Sequence, residues 1–106
     1  PPVYITENGC SFDEPLGPDG VIRDTRRIGF YQSYLEACHE AIASGVNLKG
    51  YFAWSLLDNM EWAEGYSQCF GLVHVDRQTL RRTPKESAHW FTETMRANAI
   101  PVSPHC

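Results

Sequence analysis

The sequence predicts an α/β fold with parallel strands, and three observations predict it. Val3-Tyr4-Ile5-Thr6 is a short run too apolar for the alternation of a half-solvated strand, as expected where both sheet faces are covered. A helical pattern follows it, and a second apolar run, Lys49 to Ser55, follows the helix. Strand, helix and strand in that order call for a parallel pair joined by a right-handed crossover.

The first strand closes on Glu7-Asn8-Gly9, a carboxylate, an amide that can hydrogen-bond locally and a glycine that permits an unusual backbone turn. Phe12 to Asp24 carries Pro15, Gly17, Pro18 and Gly20 among acids and predicts a surface loop. Asp24 stands as the N-cap of a helix of about five turns. Its apolar positions Ile28, Tyr31, Leu35, Cys38 and Ile42 recur in helical steps, and Gly45 is placed to cap the C-terminus. After the second strand, residues 54–69 read as a long loop, Phe70 to Asp76 as a short extended segment and Arg77 to Arg82 as a polar turn. Thr83 and Glu86, with Pro84 between them, predict a capping box that opens a final helix with Ala88, Phe91 and Met95 along one face. Residues 99–106, with Pro101 and Pro104, are expected to fray.

Two main strands neither satisfy their own edges nor cover both faces. The chain is therefore expected to be a piece of a larger single domain, to which an α/β barrel of roughly 250 residues or more would supply the remaining sheet. Folded alone, it is expected to expose apolar edges and self-associate.

Composition narrows the function. The 106 residues are 42% hydrophobic and 12% aromatic, which argues for a globular chain and against disorder. A net charge of -4 without a basic run disfavours a nucleic-acid partner. No stretch approaches the roughly 18 consecutive apolar residues of a membrane span, so no membrane partner is expected. The opening Pro1-Pro2-Val3 carries no leader signature. Cys10, Cys38, Cys69 and Cys106 are unevenly spaced and form no Cys-x-x-Cys pair, so they read as free thiols in a reducing, cytoplasmic setting. His39, His74, His89 and His105 have no metal-ligand spacing, and neither metal nor cofactor is expected.

Chemistry concentrates at two places. Glu7 ends a strand where α/β barrels keep their catalytic groups, and a carboxylate there can attack an anomeric carbon or take a proton. It can equally brace a loop, and position alone leaves both roles open. Trp54 ends the second apolar run and alone reads as core, but Asp58, Asn59, Glu61 and Trp62 follow it. Carboxylate and indole together suggest a sugar site, since aromatic faces suit the apolar faces of sugars.

Ile5-Thr6-Glu7-Asn8-Gly9 resembles the nucleophile motif of the β-glucosidase family, glycoside hydrolase family 1, whose members are retaining (β/α)8 barrels. The resemblance continues through Asp24-Thr25-Arg26-Arg27-Ile28, Gly50-Tyr51-Phe52-Ala53-Trp54-Ser55-Leu56-Leu57-Asp58-Asn59, Glu61-Trp62-Ala63-Glu64-Gly65-Tyr66 and Phe70-Gly71-Leu72, in family order. It implies a C-terminal segment of a TIM barrel, carrying the seventh and eighth strand-helix units. Glu7 would be the catalytic nucleophile, Trp54 the platform beneath the sugar ring, and Glu61 and Trp62 partners of its hydroxyls. Phe70 would stand near the pocket. The paired look of Glu7 and Glu61 is misleading on this likeness, because the acid/base belongs to an Asn-Glu-Pro motif on a strand this chain does not contain. Asp13-Glu14-Pro15 lacks the asparagine and follows the nucleophile rather than preceding it.

Two positions depart from the family pattern: Met60 stands where an aromatic residue is common, and Cys69 where an arginine usually precedes Phe70. Methionine fills such a volume, but a thiol cannot replace a guanidinium. The implied activity is hydrolysis of small β-glucosides through a covalent glycosyl-enzyme, without a cofactor and in partnership with the N-terminal part of the barrel. The alternatives are a non-catalytic sugar-binding fragment and a fragment active only when the first six units are supplied.

Overall fold

A computed structural model describes residues 1–59 and 68–101. The strand β1 (Val3–Asn8) leads through the residue 9–24 loop to helix α1 (Thr25–Ala43), and α1 leads to strand β2 (Leu48–Ala53). Strands β1 and β2 pair in parallel, as the order of elements predicts. Helix α1 ends in a Schellman motif: Val46 N–H bonds Ala41 O at 3.0 Å, Gly45 N–H bonds Ile42 O at 3.1 Å, and Gly45 takes φ 104°.

Beyond the apolar pair, strands β3 (Val73–Val75) and β4 (Arg82–Pro84) form an antiparallel hairpin that leads into helix α2 (Glu86–Ala97). The expected polar turn became the hairpin connection. Asp76 organises it by accepting the backbone N–H groups of Gln78 at 2.8 Å and Thr79 at 3.0 Å. The two-strand expectation is therefore corrected to four strands in two sheets among the described residues. Arg82-Thr83-Pro84 has no apolar alternation to announce a strand and pairs through its backbone.

That pairing also displaces the expected capping box. Thr83 and Pro84 belong to β4, and Lys85 occupies the N-cap of α2 without a side-chain cap bond. The free N–H groups of α2 find acceptors across the fold: Glu86 N–H bonds Ile22 O at 3.0 Å, and Ser87 N–H bonds Asp24 Oδ1 at 2.9 Å. Asp24 does stand at the N-cap of α1, but its carboxylate caps α2 instead of its own helix.

The core lies where both helices meet β2. Tyr31 of α1 and Phe91 of α2 pack edge to face at 5.5 Å, and Tyr51 of β2 stacks on Phe91 at 6.4 Å. Leu72 joins them from the segment before β3. Ala88 packs against this cluster, but Met95, expected on the same face, is exposed. Coverage of both sheet faces does not occur within the described residues: Tyr4 and Phe52 are each 57% exposed, because the helices cover one side only.

Candidate active site

The parallel pair sets two sequence-predicted residues side by side. Asn8, the last residue of β1, pairs with Ala53, the last of β2, and Trp54 N–H bonds Asn8 O at 2.8 Å. Glu7 and Trp54 thus stand at the C-terminal ends of neighbouring parallel strands, where α/β folds assemble their sites. Glu7 is exposed and Trp54 is 36% exposed, so both are open to a ligand.

The strand is irregular at the carboxylate. Ile5 pairs with Tyr51 and Asn8 with Ala53, so three steps on β1 face two on β2 and an extra residue is inserted around Thr6-Glu7. Bulges of this kind beside active sites redirect a side chain. Ile5 and Asn8 are half-buried, whereas Thr6 and Glu7 are exposed. Gly9 has a different use from the one its type suggests. It does not take a positive φ, but a Cβ there would lie 1.8 Å from Trp54 O, so the close passage of the two strand ends requires glycine.

Tyrosines support this junction from the helix side. Tyr31 OH donates to Trp54 O at 3.1 Å, and Tyr51 OH donates to Asn8 Oδ1. Burial pushes both phenols well above their ordinary range, so they remain donors at any working pH. The Trp54–Ser55 peptide is cis.

Phe70 is half-buried and belongs to the same cluster of segments, since Ser55 N–H bonds Phe70 O at 3.1 Å and Leu72 N–H bonds Ser55 O at 2.9 Å. Asp58 closes the base of this loop. Its Oδ1 accepts Gly71 N–H at 2.9 Å and Lys85 Nζ at 3.0 Å, and Lys85 also donates to Gly71 O at 2.6 Å. Both charges are buried. Glu61, Trp62 and Met60 lie outside the described residues, as do residues 102–106 of the expected frayed tail.

Sequence reasoning missed a second buried pair. Arg27 and Asp24 are fully buried and bonded at 2.7 Å, and Ser87 Oγ donates to the same carboxylate. Arg27 also reaches Phe12 O at 2.9 Å and Cys69 O at 2.6 Å. A signal was present: Arg27 lies one helical step before Tyr31, so it sits on the apolar stripe rather than the solvent face. At Cys69 the backbone carbonyl and N–H make the contacts that the structure records, the N–H bonding Ser11 Oγ at 3.2 Å.

The acidic loop is braced. Glu14 accepts Arg26 Nε at 2.9 Å and Nη2 at 2.7 Å, and Asp19 pairs with Arg23 at 2.6 Å. Cys10, Cys38 and Cys69 are free thiols, raised above their ordinary range by burial. Among the described residues, no three His, Cys, Asp or Glu side chains are placed to hold a metal ion, and no helix is long and apolar enough to cross a membrane.

Residues 1–100 match the model of the family described as glycosyl hydrolase family 1. Beta-glucosidase A of Thermotoga maritima is 48% identical over 100 residues, covering 94% of this chain and 22% of the relative. Beta-glucosidase 42 of Arabidopsis thaliana is 49% identical over 102 residues, 92% of this chain and 21% of the relative. The solved family 1 β-glucosidase from Thermotoga maritima superposes with a TM-score of 0.94 at 46% identity, over 95% of this chain and 23% of that one. Another structure of the Thermotoga maritima β-glucosidase, in complex with deoxynojirimycin, superposes at 0.94 with 48% identity, again over 95% and 23%. The chain thus spans about a fifth of the length of the relatives it matches.

Proposed function

The chain belongs to glycosyl hydrolase family 1, and from that premise we propose that residues 1–106 are the C-terminal segment of a single (β/α)8 barrel, a retaining β-glucosidase. Here β1 with α1 is the seventh strand-helix unit and β2 with α2 the eighth, with the β3–β4 hairpin in the connection between them. Glu7 is the nucleophile. Its carboxylate attacks the anomeric carbon of a β-glucoside, the aglycone oxygen leaves with a proton from an acid outside this chain, and water then hydrolyses the glycosyl ester. Trp54 supports the sugar ring and Phe70 borders the pocket. Glu61 accepts hydrogen bonds from sugar hydroxyls and Trp62 donates one. No cofactor takes part.

The observation that carries this reading is the placement of Glu7 and Trp54 at adjacent strand ends, joined through Trp54 N–H and Asn8 O at 2.8 Å. The exposed apolar side chains Tyr4, Phe52 and Leu56 favour a segment that works with the rest of the barrel over an independent sugar-binding module. Alone, it self-associates through those surfaces. The uneven cysteine spacing, without a Cys-x-x-Cys pair, is the ground for proposing a reducing, cytoplasmic setting.

A 2-deoxy-2-fluoro-β-glucoside with a dinitrophenolate leaving group tests the reading, because such a reagent reacts with little acid assistance. Mass spectrometry of the barrel assembled from this chain and the remaining units is expected to show the adduct on the peptide that contains Glu7, and no adduct after Glu7→Gln. An adduct elsewhere, or none, removes Glu7 from the nucleophile's role.

A further inference from the structure

We infer that Arg27 is a positioning residue of the site, a clasp that holds the segment leaving the Glu7 strand against the segment carrying Phe70. The inference rests on the proposed roles of Glu7 and Trp54. A guanidinium buried without any exposure is costly, and a need to neutralise Asp24 would occupy only one of its nitrogens. Nη1 does that, at 2.7 Å from Asp24 Oδ2. Nη2 is spent on two backbone carbonyls from distant parts of the chain, Phe12 O at 2.9 Å and Cys69 O at 2.6 Å.

Those carbonyls lie in the two segments whose spacing defines the site. Phe12 follows Glu7-Asn8-Gly9 in the loop after β1. Cys69 immediately precedes Phe70, whose carbonyl is bonded by Ser55 beside Trp54. Ser11 ties the same junction a second time: its Oγ donates to Gln68 Oε1 at 2.6 Å and accepts Cys69 N–H at 3.2 Å. A third, longer bond runs from Phe12 N–H to Cys69 O at 3.4 Å. The planar fork of arginine fixes the directions of its donors, which a single ammonium cannot do. Arg27 therefore sets how far the nucleophile lies from the aromatic side of the pocket, without touching the substrate.

Arg27→Lys and Ser11→Ala in the assembled barrel test this, with kcat and KM for an aryl β-glucoside expressed per site titrated by the fluoroglucoside. Because a misplacement of about 1 Å costs on the order of 10²-fold, Arg27→Lys is expected to lower kcat/KM by roughly 30- to 100-fold, mostly in kcat. Ser11→Ala, removing the outer tie, is expected to lower it by roughly 3- to 10-fold with its melting temperature nearly unchanged. A purely structural role predicts a lower melting temperature and fewer titratable sites but unchanged kcat and KM per site, and that result overturns the inference. If Arg27→Lys does not fold, Ser11→Ala decides, and turnover within twofold of wild type overturns it. A wild-type protein without an adduct on Glu7 overturns the functional reading, whatever the variants do.

Discussion

Replacing Asp24 with asparagine tests the buried centre of the fold. The substitution keeps the shape and one carbonyl oxygen, but Asp24 uses both oxygens: Oδ1 accepts Ser87 N–H at 2.9 Å, and Oδ2 accepts Arg27 at 2.7 Å and the Ser87 hydroxyl. An amide must present its NH2 to one set of donors and leaves the Arg27 charge uncompensated. Removing one partner of a buried pair typically costs 3–5 kcal/mol, and the oxygen that asparagine retains sets the expectation at about 3 kcal/mol. In urea, with a slope of about 1.5 kcal/mol per molar, the unfolding midpoint drops by about 2 M. Far-ultraviolet circular dichroism and tryptophan fluorescence, through Trp90 packed on the core, read the same transition. Adding Arg27→Met removes the orphaned charge, so the double variant is expected to be more stable than Asp24→Asn alone. A loss below about 1 kcal/mol for Asp24→Asn, or no recovery in the double variant, would refute the account of a buried, mutually dependent pair.

Four further outcomes follow from other sites. Gly9→Ala puts a Cβ 1.8 Å from Trp54 O, so it is expected to cost at least 1–3 kcal/mol by overpacking and to slow labelling of Glu7. Gly29→Ala, on an exposed turn of α1 with nothing within 4 Å of the new Cβ, is expected to stabilise by about 0.5–1 kcal/mol, checked by the same urea titration. Lys85→Met removes the lysine from buried Asp58, which keeps Gly71 N–H and the neighbouring His74, and is expected to cost about 3 kcal/mol, most of it recovered on adding Asp58→Asn. Because burial raises the thiols of Cys10 and Cys69, their thiolate fraction at pH 7.5 is lowered, and mass spectrometry is expected to show slower iodoacetamide alkylation than of a free cysteine, accelerating as the pH rises.

The parallel pair, both helices and the Gly45 C-cap were legible because each rests on a local pattern: apolar runs, helical steps and a glycine in the left-handed region. The β4 strand was not, since Arg82-Thr83-Pro84 acquires its conformation by pairing with Val73–Val75. Thr83 and Glu86 satisfied the rule for a capping box, yet tertiary pairing took Thr83 and brought Asp24 to Ser87 from the other helix. Glu7 and Trp54 each close an apolar run in the sequence, and the structure brings those strand ends together. What the sequence did not disclose is the extra residue at Thr6-Glu7, because register emerges only from the pairing of two strands. Asp58 and Lys85, far apart in sequence, were invisible for the same reason.

The two buried ion pairs divide the labour around the site. Asp58 with Lys85 closes one loop on itself by joining Gly71 to the start of α2, so its loss is expected to loosen the loop base while β1 stays in place. Asp24 with Arg27 joins α1 to α2 through Ser87, and β1's exit to the Phe70 segment through Phe12 and Cys69. Helix packing and site spacing thus share one charge pair, and Asp24→Asn should degrade stability and turnover together. Ser11 lies outside that pair, and its side chain bonds Gln68 and the Cys69 N–H at the junction. Ser11→Ala is therefore the substitution expected to separate the two effects, slowing catalysis while leaving the urea midpoint nearly where it was.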